Sequence, residues 1–188
     1  MAIQFARCQY VSRKKGGNAC RKSAYNARTQ VRCERIAETF SFEGRDGSVF
    51  HQVLLPEGAD KKFVDMHVLW NGAEFAEKRK DAQVAKEIVL ALPDNQELSL
   101  EDRTQLSKRF AQTHFISKGV AVQIDIHAPH DETDKNWHAH LLITTRRFDE
   151  TGLNFASKKA RDLDPEVRWG KVTEGDLWGE LWRDIQNT

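Results

Sequence analysis

The stretch IDIHAPHDETDKNWHAHLLITTRR, residues 124–147, holds two apolar runs of strand length separated by a polar loop. With the residues just before it, the pattern predicts a strand over VAVQIDIH (120–127) and an antiparallel return over HAHLLITT (138–145). Four of the chain's seven histidines fall here: His127, His130, His138 and His140. Side chains two apart on a strand share a face, so His138 and His140 project together, with His127 as their neighbour on the preceding strand. Taken singly, each reads as a satisfied, half-buried polar residue. Three imidazoles on one face instead form a nitrogen donor set for a divalent transition ion, with coordination positions left open for water or substrate. His130 competes for the first ligand position, but a strand end holds a ligand better than a loop does, which favours His127. His51, His67 and His114 stand alone in the sequence and read as structural.

Working outward, residues 3–12 alternate as a strand, and RKKGGN turns into a basic helical stretch, ACRKSAYNARTQ, that carries Tyr25. AETFSF and SVFHQVLL, joined by EGRDG, predict a hairpin over 37–55. The pattern is helical from Asp60 to Glu87, then a buried strand, IVLALP, stops at proline. Ser99 with Asp102 forms a capping-box signature ahead of a stripe of Leu106, Phe110 and Phe115, and Gly119 supplies the stop. Thr173 with Asp176 opens a final amphipathic helix bearing Leu177, Trp178, Leu181, Trp182 and Ile185. That helix runs to the chain end, so a natural C-terminal extension is expected.

A length of 188 residues suits one domain, 1–188. Charged residues make up 30% but the net charge is +1, which excludes a uniformly cationic chain; any anionic partner must be held by a local patch. There is neither an apolar run of membrane-spanning length nor a secretion signal, and a cytoplasmic location is expected. Cys8, Cys20 and Cys33 form no CxxC pair, which suits a reducing compartment and argues against a disulfide or structural zinc framework.

The local patch lies at the N-terminus. Arg13, Lys14, Lys15, Arg21, Lys22, Arg28, Arg32 and Arg35 face a single acid, Glu34. Such a segment can neutralise phosphates along a DNA strand, although a solvated charged helix has the same composition. Tyr25 stands in its middle, where cations favour the phenolate that attacks a phosphodiester. Tyr10, the chain's other tyrosine, reads as a strand packing residue. A second set, Arg146, Arg147, Lys158, Lys159 and Arg161, is a further candidate contact with a nucleic-acid backbone.

The runs VSRKKGGNACRKSAYNAR (11–28), VFHQVLLPEGA (49–59), LWNGAEFAEKRKDAQVAKEIVLALP (69–93), GVAVQIDIHAPH (119–130) and NWHAHLLITTRR (136–147), in this order, closely resemble the relaxase domain of the MobA/MobL family of conjugative plasmid transfer proteins. The likeness is greatest to TraA-type members of this HUH endonuclease superfamily and covers nearly all of residues 1–165. It implies a site- and strand-specific DNA nickase acting at an origin of transfer, with Tyr25 as nucleophile. It also implies metal ligation by His127, His138 and His140 and a divalent ion as cofactor, Mn²⁺ or Mg²⁺ ahead of other transition metals; Glu87 falls on the family's acid and reads either as an orienting partner of a metal histidine or as an ordinary helix-end carboxylate. The implied partners are single-stranded or hairpin origin DNA, accessory relaxosome proteins and a conjugative coupling protein. The implied fold is α/β in layers: a mainly antiparallel five-stranded sheet, histidines on its central strands, and helices packed on one side. One departure is Asn136-Trp137, where many members have Asn-Pro; Trp137 is expected to cover the site or stack a base. A rolling-circle replication initiator shares the chemistry and remains an alternative. A non-enzymatic DNA-binding module is another, and it predicts no covalent adduct with DNA.

Overall fold

The computed structural model describes residues 2–94, 96, 98–131, 133–164 and 174–188, the side chains of 174 and 175 excepted. In chain order its elements are β1 (Ala6–Ser12), α1 (Ala19–Ala27), β2 (Gln30–Cys33), β3 (Glu38–Ser41), β4 (Ser48–Leu54), α2 (Met66–Ala76) and β5 (Gln83–Ala91). There follow α3 (Leu100–His114), β6 (Val122–His127), β7 (His138–Ile143), β8 (Arg146–Phe148), β9 (Phe155–Lys159) and α4 (Glu174–Gln186). Thr173, the expected opener of α4, lies outside the described residues.

Five strands form the central sheet in the order β1-β5-β7-β6-β4, every neighbouring pair antiparallel. The β6–β7 hairpin pairs His127 with His138 and Asp125 with His140, as the alternation of residues 120–145 predicts. All six residues of β6 are buried, although three are polar, because both faces of the sheet are covered. Val122, Ile124 and Ile126 pack against α3 and α4. Gln123, Asp125 and His127 point the other way, beneath α1 and α2. Helices on both faces correct the expectation of helices on one. Trp70 of α2 and Trp182 of α4 anchor the two layers; both are fully buried. Each indole still finds an acceptor, Gln123 Oε1 at 2.6 Å and the Ala91 carbonyl at 2.8 Å.

Two further expectations change. The hairpin predicted over 37–55 does not form: β3 pairs back onto β2 in a separate ribbon, and β4 joins the central sheet beside β6. Alternation marks strands but not their partners, and both candidate partners are antiparallel. The helix expected to reach Glu87 stops at Ala76, and β5 begins at Gln83. Val84 to Leu90 are buried without interruption, so the period-2 signal is lost. Glu87 consequently sits in mid-strand rather than at a helix end.

The capping box of α3 forms, Ser99 and Asp102 bonding reciprocally. Ahead of α1, Gly17 donates to the Ser12 carbonyl at 2.8 Å. A Cβ on Gly17 would lie 2.7 Å from that oxygen, so the tight turn that lays α1 over the sheet requires glycine here.

Candidate metal and nucleophile site

Helix α1 starts at Asn18, whose side chain accepts from Arg21 N–H at 3.0 Å. It is bound to the sheet by polar contacts. Ser23 Oγ donates to Gln123 Oε1 at 2.8 Å, and Asn26 Nδ2 donates to Glu87 Oε2 at 2.9 Å. Lys22 Nζ lies 3.1 Å from Glu87 Oε1. The helix ends at Arg28 in the left-handed region, φ 54°, where glycine is the usual residue. This turn sends the Arg28 side chain back along the last helical turn, beside Tyr25.

Beneath that turn, one nitrogen from each of His127, His138 and His140 lies within 4.8 Å of the others. The ring centroids are 4.5–5.2 Å apart. His130 is exposed in the loop and outside this group. His138 Nδ1 donates to the Asn136 carbonyl at 2.9 Å, and His140 Nδ1 donates to Glu87 Oε2 at 3.2 Å. In each, Nε2 is the nitrogen left to bind an ion. His127 is reversed: a carbonyl only accepts, so Nε2 at 2.6 Å from the Asn26 oxygen carries the proton and Nδ1 holds the lone pair. Burial, with the neighbouring imidazoles and Arg28, pushes the His127 pKa down to about 4 and also lowers that of His138. Three imidazole nitrogens gathered this closely on one sheet face are ligands that a divalent ion takes, so this donor set fits one.

Glu87 is fully buried. Burial raises its pKa, but His140, Lys22 and Asn26 outweigh that and hold it at about 2. It is the carboxylate behind a candidate ligand, with Gln9 Nε2 as a further donor at 2.8 Å.

The phenol of Tyr25 is half-buried. Its ring meets Phe42 edge-on at 5.3 Å and has the Arg28, Arg45 and Lys22 cations at 4.4, 5.3 and 5.4 Å from its centroid. A hydrogen bond from Arg28 leads the causes that lower its pKa, with partial burial opposing and the charges of Arg28, Arg45 and Lys22 assisting. Tyr25 lines an open cleft of roughly 320 Å³ with Lys15, Arg21, Lys22 and Arg45. An adjoining cleft shares Gly16, Gly17, Asn18 and Arg21 and continues the basic lining to Lys78, Arg79 and Lys80.

Other expected contacts are placed elsewhere. Arg13 donates to Glu74 and to the carbonyls of Glu74, Glu77 and Arg79. Arg146 is paired with Glu77, and Arg147 with Asp162. Lys159 donates to the Gln83 carbonyl at 2.5 Å. These four cations hold the fold together, whereas Lys14, Lys15, Arg21, Lys158 and Arg161 are exposed. Trp137 is half-buried beneath the Arg103 guanidinium, 4.2 Å from its ring centroid, and packs with the α3–α4 layer. It lies on the other side of the sheet from the histidines, because the alternation that turns His138 to one face turns its neighbour to the other.

Sequence reasoning missed Asn26, Arg45 and the pair His51–Asp125. Asp125 lies opposite His140 in register and reaches His51 Nδ1 at 2.6 Å. Asn26 follows the tyrosine directly, and an Asn inside a helix was the available signal. Arg45 had none, since only the course of the β3–β4 connection brings it to Tyr25. Among the described residues no helix is long and apolar enough to cross a membrane.

Comparison with known proteins matches residues 18–188 to the MobA/MobL family. The mobilization protein MobL of Acidithiobacillus ferridurans is 28% identical over 94% of this chain and 55% of its own length. The conjugal transfer protein TraA of Agrobacterium fabrum is 30% identical over 97% of this chain and 17% of its own. The probable mobilization protein MobA of Bifidobacterium longum is 33% identical over 86% and 28% respectively. This chain thus spans between 17% and 55% of the length of these relatives. A solved structure described as "Molecular Basis of Vancomycin Resistance Transfer in Staphylococcus aureus" superposes with a TM-score of 0.78 at 30% identity, covering 97% of this chain and 89% of its own.

Proposed function

This chain belongs to the MobA/MobL family, and from that premise we propose that it is a DNA strand transferase that nicks one strand at an origin of transfer through Tyr25. The observation that carries this reading is a tyrosine in a cationic cleft, joined by the single guanidinium of Arg28 to a cluster of three imidazoles. Its relatives are mobilization and conjugal transfer proteins, which favours transfer over replication initiation.

Tyr25 gives its proton to solvent, and the phenolate oxygen attacks phosphorus. The bond from phosphorus to the 3′ oxygen breaks, and that oxygen takes up a proton. The product is a 5′-phosphotyrosyl diester and a free 3′-hydroxyl. Because a diester replaces a diester, attack by a 3′-hydroxyl reverses the step without ATP. His127 through Nδ1, and His138 and His140 through Nε2, are the groups that would hold a divalent ion, which supplies Lewis-acid polarisation of the scissile phosphate. Glu87 fixes the His140 tautomer, and the Asn26 carbonyl fixes that of His127. Lys15, Arg21, Lys78 and Lys80 lie along the clefts that a single strand would follow to Tyr25.

The test uses labelled single-stranded oligonucleotides tiling the DNA around the protein's own gene, incubated with Mn²⁺ or with EDTA and resolved under denaturing conditions. A protein-linked band that needs Mn²⁺ and disappears in Tyr25→Phe, but persists in Tyr10→Phe, is expected. Binding without any linked band would leave a non-enzymatic DNA-binding module.

A further inference from the structure

We propose that Arg28 is a catalytic residue of the strand-transfer reaction, its guanidinium gripping the scissile phosphate between the Tyr25 phenol and the histidine cluster. The inference rests on the reading of Tyr25 as nucleophile. Arg28 touches both halves of the site: its guanidinium carbon lies 4.4 Å from the Tyr25 ring centroid, and Nη2 stands 3.5 Å from His127 Nδ1. Nη1 is held by the Tyr25 carbonyl at 2.9 Å, which fixes the fork relative to the nucleophile's own backbone. Nε–H is buried and has no acceptor among the described residues. A buried donor without a partner is rare, and one aligned with a second N–H on the same planar fork matches the paired oxygens of a phosphodiester.

The backbone points the same way. Arg28 occupies a left-handed helix cap, φ 54°, that an L side chain adopts only with strain and that glycine adopts freely. Strain kept at a position next to reacting groups signals that the side chain is needed there. During the transfer, negative charge spreads over the phosphate oxygens as the phenolate oxygen bonds to phosphorus and the 3′ oxygen departs. A guanidinium already fixed beside both partners meets that charge without reorganising, and it neutralises the approach of an anionic nucleophile to an anionic ester. Of the three cations over the Tyr25 ring, Lys22 turns to Glu87 and Arg45 also lies over Phe42, whereas Arg28 reaches His127.

The left-handed cap makes the experiment clean. Arg28→Gly removes the side chain at a position whose backbone suits glycine, so the fold is expected to survive with an unchanged or higher melting temperature. With the oligonucleotide that gives a Tyr25-dependent adduct, single-turnover adduct formation by Arg28→Gly should fall on the order of 10²–10³-fold, the usual cost of losing one preorganised donor. DNA affinity should change only a few-fold. Millimolar methylguanidinium should restore part of the rate to Arg28→Gly and none to Tyr25→Phe, which a purely structural role would not produce. Arg28→Lys, keeping charge but losing the fork, should fall between. A wild-type adduct rate in Arg28→Gly, a loss confined to DNA affinity, or a rate loss that methylguanidinium leaves untouched overturns the proposal. An adduct that forms normally in Tyr25→Phe sinks the nucleophile assignment instead, whatever Arg28 does.

Discussion

Replacing Glu87 by glutamine is the sharpest perturbation of the candidate metal site, because the change is isosteric and the residue is fully buried. The carboxylate accepts four donors: His140 Nδ1 and Asn26 Nδ2 on Oε2, Gln9 Nε2 and Lys22 Nζ on Oε1. An amide has one acceptor oxygen, so whichever way it is turned, its NH₂ faces two donors. Removing one partner of a buried ionic cluster costs about 3–5 kcal/mol of stability. The effect on metal is separate. Without the carboxylate the Nδ1–H tautomer of His140 is no longer enforced, and Mn²⁺ affinity should fall by about 10–100-fold, or roughly 1.4–2.7 kcal/mol. Glu77→Gln is the control. It breaks the buried pairing with Arg146 and Lys159, which has no part in the histidine cluster, and should cost comparable stability with Mn²⁺ affinity unchanged. Calorimetric Mn²⁺ titration beside urea unfolding in EDTA measures both quantities. If Glu87→Gln loses stability yet binds Mn²⁺ as tightly as the wild type, the carboxylate merely ties α1 to the sheet and its orienting role is refuted.

Alanine at His127 should lower Mn²⁺ affinity and adduct formation together by about 10–100-fold or more, whereas His130→Ala should leave metal binding unchanged; the reverse result in the same titrations would displace the ligand set. Arg21→Ala and Lys15→Ala should each flatten the dependence of single-stranded DNA affinity on log salt by about 0.7, while Arg146→Ala should lower the melting temperature and leave the slope alone; equal slopes throughout would remove the clefts from the DNA path. Acid should destabilise the metal-free protein in two stages. His127, at about 4 when folded against 6.5 as its ordinary value, lets the unfolded chain take up protons first, so stability drops as pH falls from about 6.5 through 4. Glu87 adds a second loss as pH falls from about 4.5 through 2. His51, raised by its hydrogen bond to Asp125, acts oppositely: its contribution is present at low pH and is lost as pH rises through its folded value. Urea midpoints measured from neutral pH downward check the order, and a flat profile between pH about 7 and 4 contradicts the neutral buried imidazole.

What the sequence determined by itself was local and periodic. Alternation over 120–145 dictates the β6–β7 hairpin, and a period of two forces His138 and His140 onto one face with His127 beside them. Ser99 and Asp102 dictate the start of α3 through backbone hydrogen bonds three residues away. The basic stretch around Tyr25 was equally plain, because cations and tyrosine lie on one short segment of the chain. Only tertiary structure decided which strands are neighbours, since β3 and β4 carry the same signal yet one folds back on β2 and the other joins β6. It also divided the cations: Arg13, Arg146 and Arg147 are drawn into carboxylates distant in sequence, leaving Lys15 and Arg21 on an open cleft. Glu87 and Arg28 show why composition stops short of a site. A carboxylate becomes a histidine's partner, and a guanidinium a bridge from phenol to imidazole, only when packing removes water and brings together groups 53 and 99 residues apart. Those distances are set by the sheet order and by one left-handed helix cap, and neither leaves a periodic trace in the chain.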